Sequence, residues 1–381
     1  MARVAVVGAG VGGLVTAALA RQAGHSVVLY ESAEQLGGRA RSTEHDLGSG
    51  RRVRLNLGPH AYFAAGAARR VLERLGVKPR GFTPPTRGLL AWRDGVFEPF
   101  LDPRRAWVAA RLSAAAPPAT LQVGSWLDEL PATREPMARA FAEALIRVTT
   151  YCVDRRLSAV AAAAQVRRAL IGGVRYLDEG WQSIVDPLAE RCRALGVELR
   201  TRARINDLDA LDADRLVLAV PPNEVSRLTG RRVDLTPLRT ANLDLVLDGL
   251  PVPRRRAVFG VGAPWYFAVH TRPGVKGPVV AHAMQYLAAD TTGDRAGLEA
   301  FLDSVQPSWR ERVLHARYLP SLTAQHGMVD GSPVPSVALD ERTLVVGDWV
   351  GARGLLLDRS VGAADDAARL LAVASTGTMA A

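Results

Sequence analysis

Apolar positions fall into runs of three kinds along this chain. Val4–Val7, Ser26–Tyr30, Arg215–Val220 and Leu344–Val346 are short, nearly continuous apolar segments. Such runs suit strands buried on both faces of a parallel sheet. Ala67–Leu75 (stopped by Gly76), Pro136–Val148, Ser158–Leu170 and Gln182–Leu195 repeat their apolar residues at helical spacing. Leu243–Leu247, Trp265–His270, Val279–Met284 and Arg312–Tyr318 read as strands, and Leu89–Trp92 with Val96–Phe100 as a hairpin around Asp94-Gly95. Ala114–Pro118 reads as a loop between helices. The order predicts a parallel α/β core interrupted by one helical insert and one strand-rich insert.

The first strand runs directly into Gly8-Ala9-Gly10-Val11-Gly12-Gly13, which fits G-x-G-x-x-G. An alanine-rich helix to Gln22, Gly24 and the second strand, ending before Glu31, complete a βαβ unit. Each residue has a physical task. Gly8 permits the tight turn, Gly10 lets backbone approach a pyrophosphate, and Gly13 lets helix pack on sheet. The free N–H groups and positive dipole end of the helix face the phosphates. Glu31 follows Gly13 by eighteen residues (31 − 13) and can accept hydrogen bonds from both hydroxyls of an adenosine ribose. Its charge disfavours a 2′-phosphate, which argues against NADP at this site.

The motif continues as Leu36-Gly37-Gly38-Arg39-Ala40-Arg41-Ser42-Thr43. This block resembles the G-G-R-x-x-[S/T] extension of the flavin amine oxidase and phytoene desaturase superfamily. Leu57-Gly58-Pro59-His60, Gly180-Trp181 with its following helix, the strand Val197–Thr201 leading to Ile205, and Leu344-Val345-Val346-Gly347-Asp348 resemble further blocks of it, closest to the bacterial phytoene dehydrogenase-related branch. Glu179 departs from the glycine that relatives often carry before the Gly-Trp pair.

The resemblance implies non-covalent FAD. Gly38 and Arg39 would serve the diphosphate, Gly58, Pro59 and His60 would lie beside the isoalloxazine, and Ile205 would contact adenine. Asp348 would bond a ribityl hydroxyl, next to Gly347. Leu355 and Leu356, at the start of the last helix, would present N–H groups to the pyrimidine edge of the flavin. The expected fold is α/β: a discontinuous Rossmann-type FAD-binding domain with an α+β substrate domain containing an antiparallel sheet. The expected divisions are 1–62, 180–240 and 337–381 for FAD, and 63–179 and 241–336 for substrate.

Composition removes several other classes. The formal charge is +10, carried almost wholly by arginine, since Lys78 and Lys276 are the only lysines. Arg51-Arg52 and Arg254-Arg255-Arg256 are too short for a nucleic-acid groove, so no nucleic acid is expected; peripheral contact with an acidic membrane surface stays open. The apolar N-terminus is broken by glycines, unlike a signal peptide, and no segment reads as a transmembrane helix, so a cytoplasmic location is expected. Cys152 and Cys192 are the only cysteines, too few for a disulfide framework; Cys192 falls on the apolar face of its helix. The seven histidines show no metal-ligand spacing, so no metal is expected, and no Ser-His-Asp arrangement stands out.

The expected reaction is dehydrogenation (desaturation) of a small organic substrate by hydride transfer to flavin N5, with oxygen or a quinone as electron acceptor. The protein's part is to place a C–H bond and exclude water. His60, Tyr266 and His282 are the candidates to face the substrate. Amine oxidases of the superfamily usually carry a lysine near the flavin. Here Lys276 lies in Pro273–Pro278, which reads as a turn. Gly260-Val261-Gly262 lacks the third glycine of a second nucleotide motif, and Pro221-Pro222 stands where NAD(P)H-fed hydroxylases carry Asp-Gly. The alternatives are C–N oxidation by a flavin amine oxidase, a redox-neutral flavin isomerase, and a non-catalytic binding protein like the Rab GDP-dissociation inhibitors, which lack parts of the cofactor motif.

Overall fold

A computed structural model describes residues 1–48 and 50–377. The apolar runs form one parallel sheet of five strands, in the order Glu198–Arg200, Ser26–Tyr30, Arg3–Val7, Arg215–Leu218, Thr343–Val345. Arg3–Val7 is central, with four consecutive buried residues, as a strand covered on both faces requires. The following helix, Val11–Gln22, is buried continuously from Val11 to Ala20. It packs between the helices Gln182–Ala194 and Leu357–Gly377, which explains its alanines: small side chains let three helices approach closely. Gly8 and Gly13 set that approach. Gly8 has φ +100°, and a Cβ on Gly13 would lie 1.9 Å from the Gly8 carbonyl oxygen. No side chain larger than hydrogen fits at position 13.

Cys192 belongs to this core and directs its thiol to the Leu14 carbonyl at 3.3 Å. The last helix is tied to Ala67–Arg74 by two buried carboxylates. Asp365 pairs with Arg74 and Arg353. Asp358 accepts from the Ala68 amide at 2.8 Å, capping a helix whose own N-cap, Gly66, offers no side chain.

The second sheet has seven strands, ordered Val313–Gln325, Leu238–Leu247, Val279–Leu287, Trp265–Val269, Ala257–Gly260, Leu89–Arg93, Val96–Pro99. All pairs are antiparallel except Ala257–Gly260 with Leu89–Arg93. Leu243, Leu245 and Leu247 pack with Leu298, Phe301 and Leu302 of the helix Arg295–Val305. The alternate residues Thr240, Asn242 and Asp244 are also buried, so this strand is covered on both faces with apolar and polar sides. The helices Pro103–Ala114, Val123–Glu129, Pro136–Thr150 and Ala159–Arg167 build a separate apolar cluster that includes Cys152. Two small sheets escape the sequence pattern: the hairpin Ser42–Asp46 with Arg52–Asn56, and a three-stranded piece of Ala61–Phe63, Val174–Leu177 and Gly81–Phe82. No helix among the described residues is long and apolar enough to cross a membrane.

Candidate active site

A cavity of about 640 Å³ opens along the C-terminal ends of the parallel strands and is closed by residues of the seven-stranded sheet. Its size lies within the usual range of small-molecule sites. Gly8, Gly10, Gly12, Glu31, Gly38, Arg39, Pro59, Ile205, Gly347, Asp348 and Leu356 line it from the first half, and Thr240, Leu322, Thr323 and Ala324 from the second. The segments that carry these residues in sequence are therefore brought to one surface.

At one end, Gly10 is the N-cap of Val11–Gln22 and no side chain caps that helix. A Cβ on Gly10 would meet nothing nearer than the Gly37 carbonyl oxygen at 4.0 Å, so the helix terminus faces open cavity. This is the arrangement in which backbone N–H groups hold a phosphate. Glu31 stands beside it. One carboxylate oxygen accepts from the Ala9 amide at 2.8 Å and the other from the Ala33 amide at 2.9 Å. Ser32 Oγ also donates to the second oxygen at 3.2 Å, and the carboxylate keeps acceptor capacity for a hydroxyl donor.

At the other end, Arg39 and Asp348 form an ion pair between residues 309 positions apart. Arg39 also donates to the carbonyls of Thr323 and Ala324 at 2.7 and 3.0 Å. Asp348 is buried and accepts from His326 Nδ1 at 2.9 Å and from the His326 amide at 3.2 Å. Burial pushes this carboxyl up, but Arg39 and His326 outweigh it and hold it at about 2. Arg39, expected on the diphosphate, thus touches the very carboxylate expected on the ribityl chain. The indole Nε1 of Trp349, on the same wall, is buried without a partner.

Several expected residues do not line the cavity. Gly13 packs helix on sheet, as its spacing implied. Gly58 (φ +73°) makes a close turn in which a Cβ would lie 3.0 Å from Asn242 Oδ1. Leu355 points into the core at 2% exposure, while its neighbour Leu356 reaches the cavity. His60 is 3% exposed and turned away from it, because its Nε2 bonds the Leu177 carbonyl at 3.0 Å and its Nδ1 the Asn56 side chain at 2.7 Å. Tyr266 is buried and shares a 3.0 Å hydrogen bond with the Tyr176 hydroxyl. His282 is buried against Asp244 at 2.7 Å. None of these three candidates faces the cavity. Lys276 is exposed in the loop between Trp265–Val269 and Val279–Leu287 and does not reach it either.

The structure also supplies residues that sequence reasoning missed. His326 orients Asp348 from the loop after Val313–Gln325. Tyr151 lines the cavity from the C-terminus of Pro136–Thr150, in a left-handed conformation (φ +62°) usual for glycine. Neither carries a local signal. Glu179, the departure from the Gly-Gly-Trp pattern, is exposed and pairs with Arg54 at 3.4 Å. The turn itself is kept: Gly180 takes φ +66° and Trp181 N donates to Asn56 Oδ1 at 2.9 Å. Close to the cavity, His60, His270 and His282 gather in one buried group, with ring centroids 4.4, 4.8 and 5.9 Å apart. Burial pushes His60 down to about 3 and His270 well below its ordinary value, so both rings are neutral.

Residues 6–75 match the model of an NAD(P)-binding Rossmann-like domain. No curated protein sequence matches the chain. Among solved structures, an oxidoreductase from Methanosarcina mazei is 15% identical over 96% of this chain and 99% of its own, with a TM-score of 0.74. Cyclohexylamine oxidase from Brevibacterium oxydans is 13% identical over 98% of this chain and 99% of its own, TM-score 0.70. Putrescine oxidase bound to putrescine is 18% identical over 97% and 98%, TM-score 0.67. The chain shares the fold of these oxidases. The Rossmann match stops at Leu75, just past the helix Ala67–Arg74. Beyond it, the likeness to these structures is one of fold.

Proposed function

We propose that the chain is an FAD-dependent oxidoreductase that dehydrogenates a small organic substrate. One observation carries this reading: a single cavity joins an uncapped helix terminus, a ribose-ready carboxylate at Glu31 and the Arg39–Asp348 pair. The residues fit an elongated ligand with an adenosine, a diphosphate and a polar chain. Glu31 would hold the ribose hydroxyls, the Gly10–Val11 terminus the diphosphate, and Asp348, fixed by His326, a hydroxyl of the ribityl chain. The unpartnered Trp349 Nε1 offers one more donor on that wall.

FAD bound there would supply a hydride acceptor. The substrate loses one hydride and one proton, and a new double bond forms between the two atoms that carried them. The protein's contribution is placement and exclusion of water. The seven-stranded sheet covers the cavity, and Tyr151, Thr240 and Leu322 form its wall on that side. No nicotinamide cofactor enters this scheme, and oxygen or a quinone reoxidises the enzyme.

A second reading, C–N oxidation to an imine, is favoured by the likeness to putrescine and cyclohexylamine oxidases. The position of Lys276 disfavours it, since no lysine lines the cavity. Anaerobic stopped-flow absorbance at the flavin band tests both. Bleaching by an organic substrate alone, with a C=C product, supports the first; an imine, hydrolysed to carbonyl and amine, supports the second. Rapid bleaching by NADH or NADPH overturns the scheme.

A further inference from the structure

We propose that His60, His270 and His282 form a binding site for a divalent transition metal, zinc by donor chemistry, with three imidazole nitrogens and an open fourth position. The rings come from three places in the chain: the turn before Ala61–Phe63, the end of Trp265–Val269 and the middle of Val279–Leu287. One ligand atom from each lies within 4.8 Å of the others. Zinc–nitrogen bonds of about 2.0–2.1 Å in a tetrahedron place ligand atoms roughly 3.3 Å apart, so the rings must close by roughly an ångström or more.

The hydrogen bonds around the group show which ring nitrogens are free to ligate. Asp244 Oδ1 lies 2.7 Å from His282 Nδ1, and its other oxygen accepts from Arg317 at 2.7 Å. An ionised, doubly engaged carboxylate can only accept, so His282 gives its Nδ1 proton to Asp244, and Nε2 is the nitrogen left to ligate a metal. That Nε2 is fully buried and has no partner. A carboxylate behind a histidine is the usual second layer of a metal site. At His60, the Leu177 carbonyl likewise fixes the proton on Nε2. Its Nδ1 lone pair meets the Asn56 amide, whose oxygen is taken by Ser42 and Trp181 N. His270, stacked on Tyr176 at 4.1 Å, has both ring nitrogens buried and unpartnered.

Each unpartnered buried group is costly, and His282 Nε2 with both His270 nitrogens are such groups. A metal ion would take His282 Nε2 and one His270 nitrogen out of that state. Three imidazole nitrogens select a borderline metal such as zinc over magnesium or calcium, which prefer oxygen. His60 would exchange its Asn56 bond for the metal and keep Leu177. Asp244 is already balanced by Arg317, so the metal's charge calls for hydroxide or an anionic ligand oxygen at the fourth position. A water bridging His282 and His270 is the competing occupant.

The test uses the purified flavoprotein, stripped with a chelator, dialysed and titrated with Zn²⁺ against a chromophoric competitor. Wild type is expected to take one zinc per chain, and the Co²⁺ form to show tetrahedral absorption to the red of the flavin band. His270→Phe keeps the stack on Tyr176 and removes both unpartnered nitrogens. It should bind zinc at least 100-fold more weakly while the metal-free form melts no lower than wild type. Asp244→Asn should weaken zinc 10- to 100-fold. If H270F does not fold, His270→Gln serves for the same comparison. Folded wild type that takes up no zinc, leaving water as the occupant, overturns the proposal. So does zinc held equally by wild type and the His270 variants, which would place it elsewhere.

Discussion

Replacing Asp348 by asparagine isolates the buried charge on the cavity wall. The side chain is 4% exposed and its carboxylate serves Arg39, His326 Nδ1 and the His326 amide. A carboxyl held at about 2 instead of its ordinary 3.8 is stabilised by about 2 kcal/mol, at ~1.36 kcal/mol for each tenfold change. D348N is nearly isosteric, so that loss should appear without a cavity penalty. The folded carboxyl titrates below the unfolded one. Its contribution is therefore complete above about 3.8 and is lost as pH falls towards about 2. Urea unfolding of the apoprotein should find D348N less stable by about 2 kcal/mol at pH 7 and by the same amount at pH 5. Re-titration with FAD should show weaker binding as well, because the carboxylate proposed to accept from the ribityl chain has lost its charge. D348N within about 0.5 kcal/mol of wild type, the range of an inconsequential surface change, would refute the assignment of Asp348 as a buried, charged partner of Arg39 and His326.

Three further substitutions probe the cofactor end and the reaction. Glu31→Ala should weaken FAD at least tenfold, since hydrogen bonds to a charged group contribute about 1.5–3 kcal/mol each; equilibrium titration with an unchanged dissociation constant on a folded protein would show the ribose contact misassigned. Gly10→Ala and Gly13→Ala should separate binding from folding: the first places its methyl in open cavity and yields folded, flavin-poor protein, whereas the second drives a methyl onto the Gly8 carbonyl and yields little folded protein by circular dichroism. Equal behaviour of the two would contradict the geometry. Lys276→Met should leave flavin reduction and reoxidation rates unchanged, and a large fall in either by stopped flow would return that lysine to the reaction.

The Rossmann-like part was legible because its signals are local. Gly8, Gly10, Gly13 and Glu31 announce themselves through spacing, and the strands that carry them are continuous apolar runs. The covering sheet was legible only in part. Leu238–Leu247 reads short in sequence, because Thr240, Asn242 and Asp244 look like a solvent face but are buried. Val313–Gln325 runs past Pro320, which sits at a register shift opposite Thr240–Asn242 on the edge strand of the sheet, a place where proline is tolerated. His60 shows the limit most clearly. Its neighbours Gly58 and Pro59 mark the turn, yet the ring direction is set by Asn56 and Leu177, and the latter lies 117 residues away. The meeting of His60 with His270 and His282 depends on the sheet as a whole, so no spacing rule could join them.

The most direct test of the account is flavin content. Protein purified without added cofactor should be yellow, and denaturation should release FAD, identified by chromatography against FMN and riboflavin, close to one per chain. Saturating apoprotein at 100 times the dissociation constant should stabilise it by about 2.7 kcal/mol. Folded protein that is colourless, and that gains neither flavin absorbance nor thermal stability when FAD is added, would contradict the assignment of this cavity.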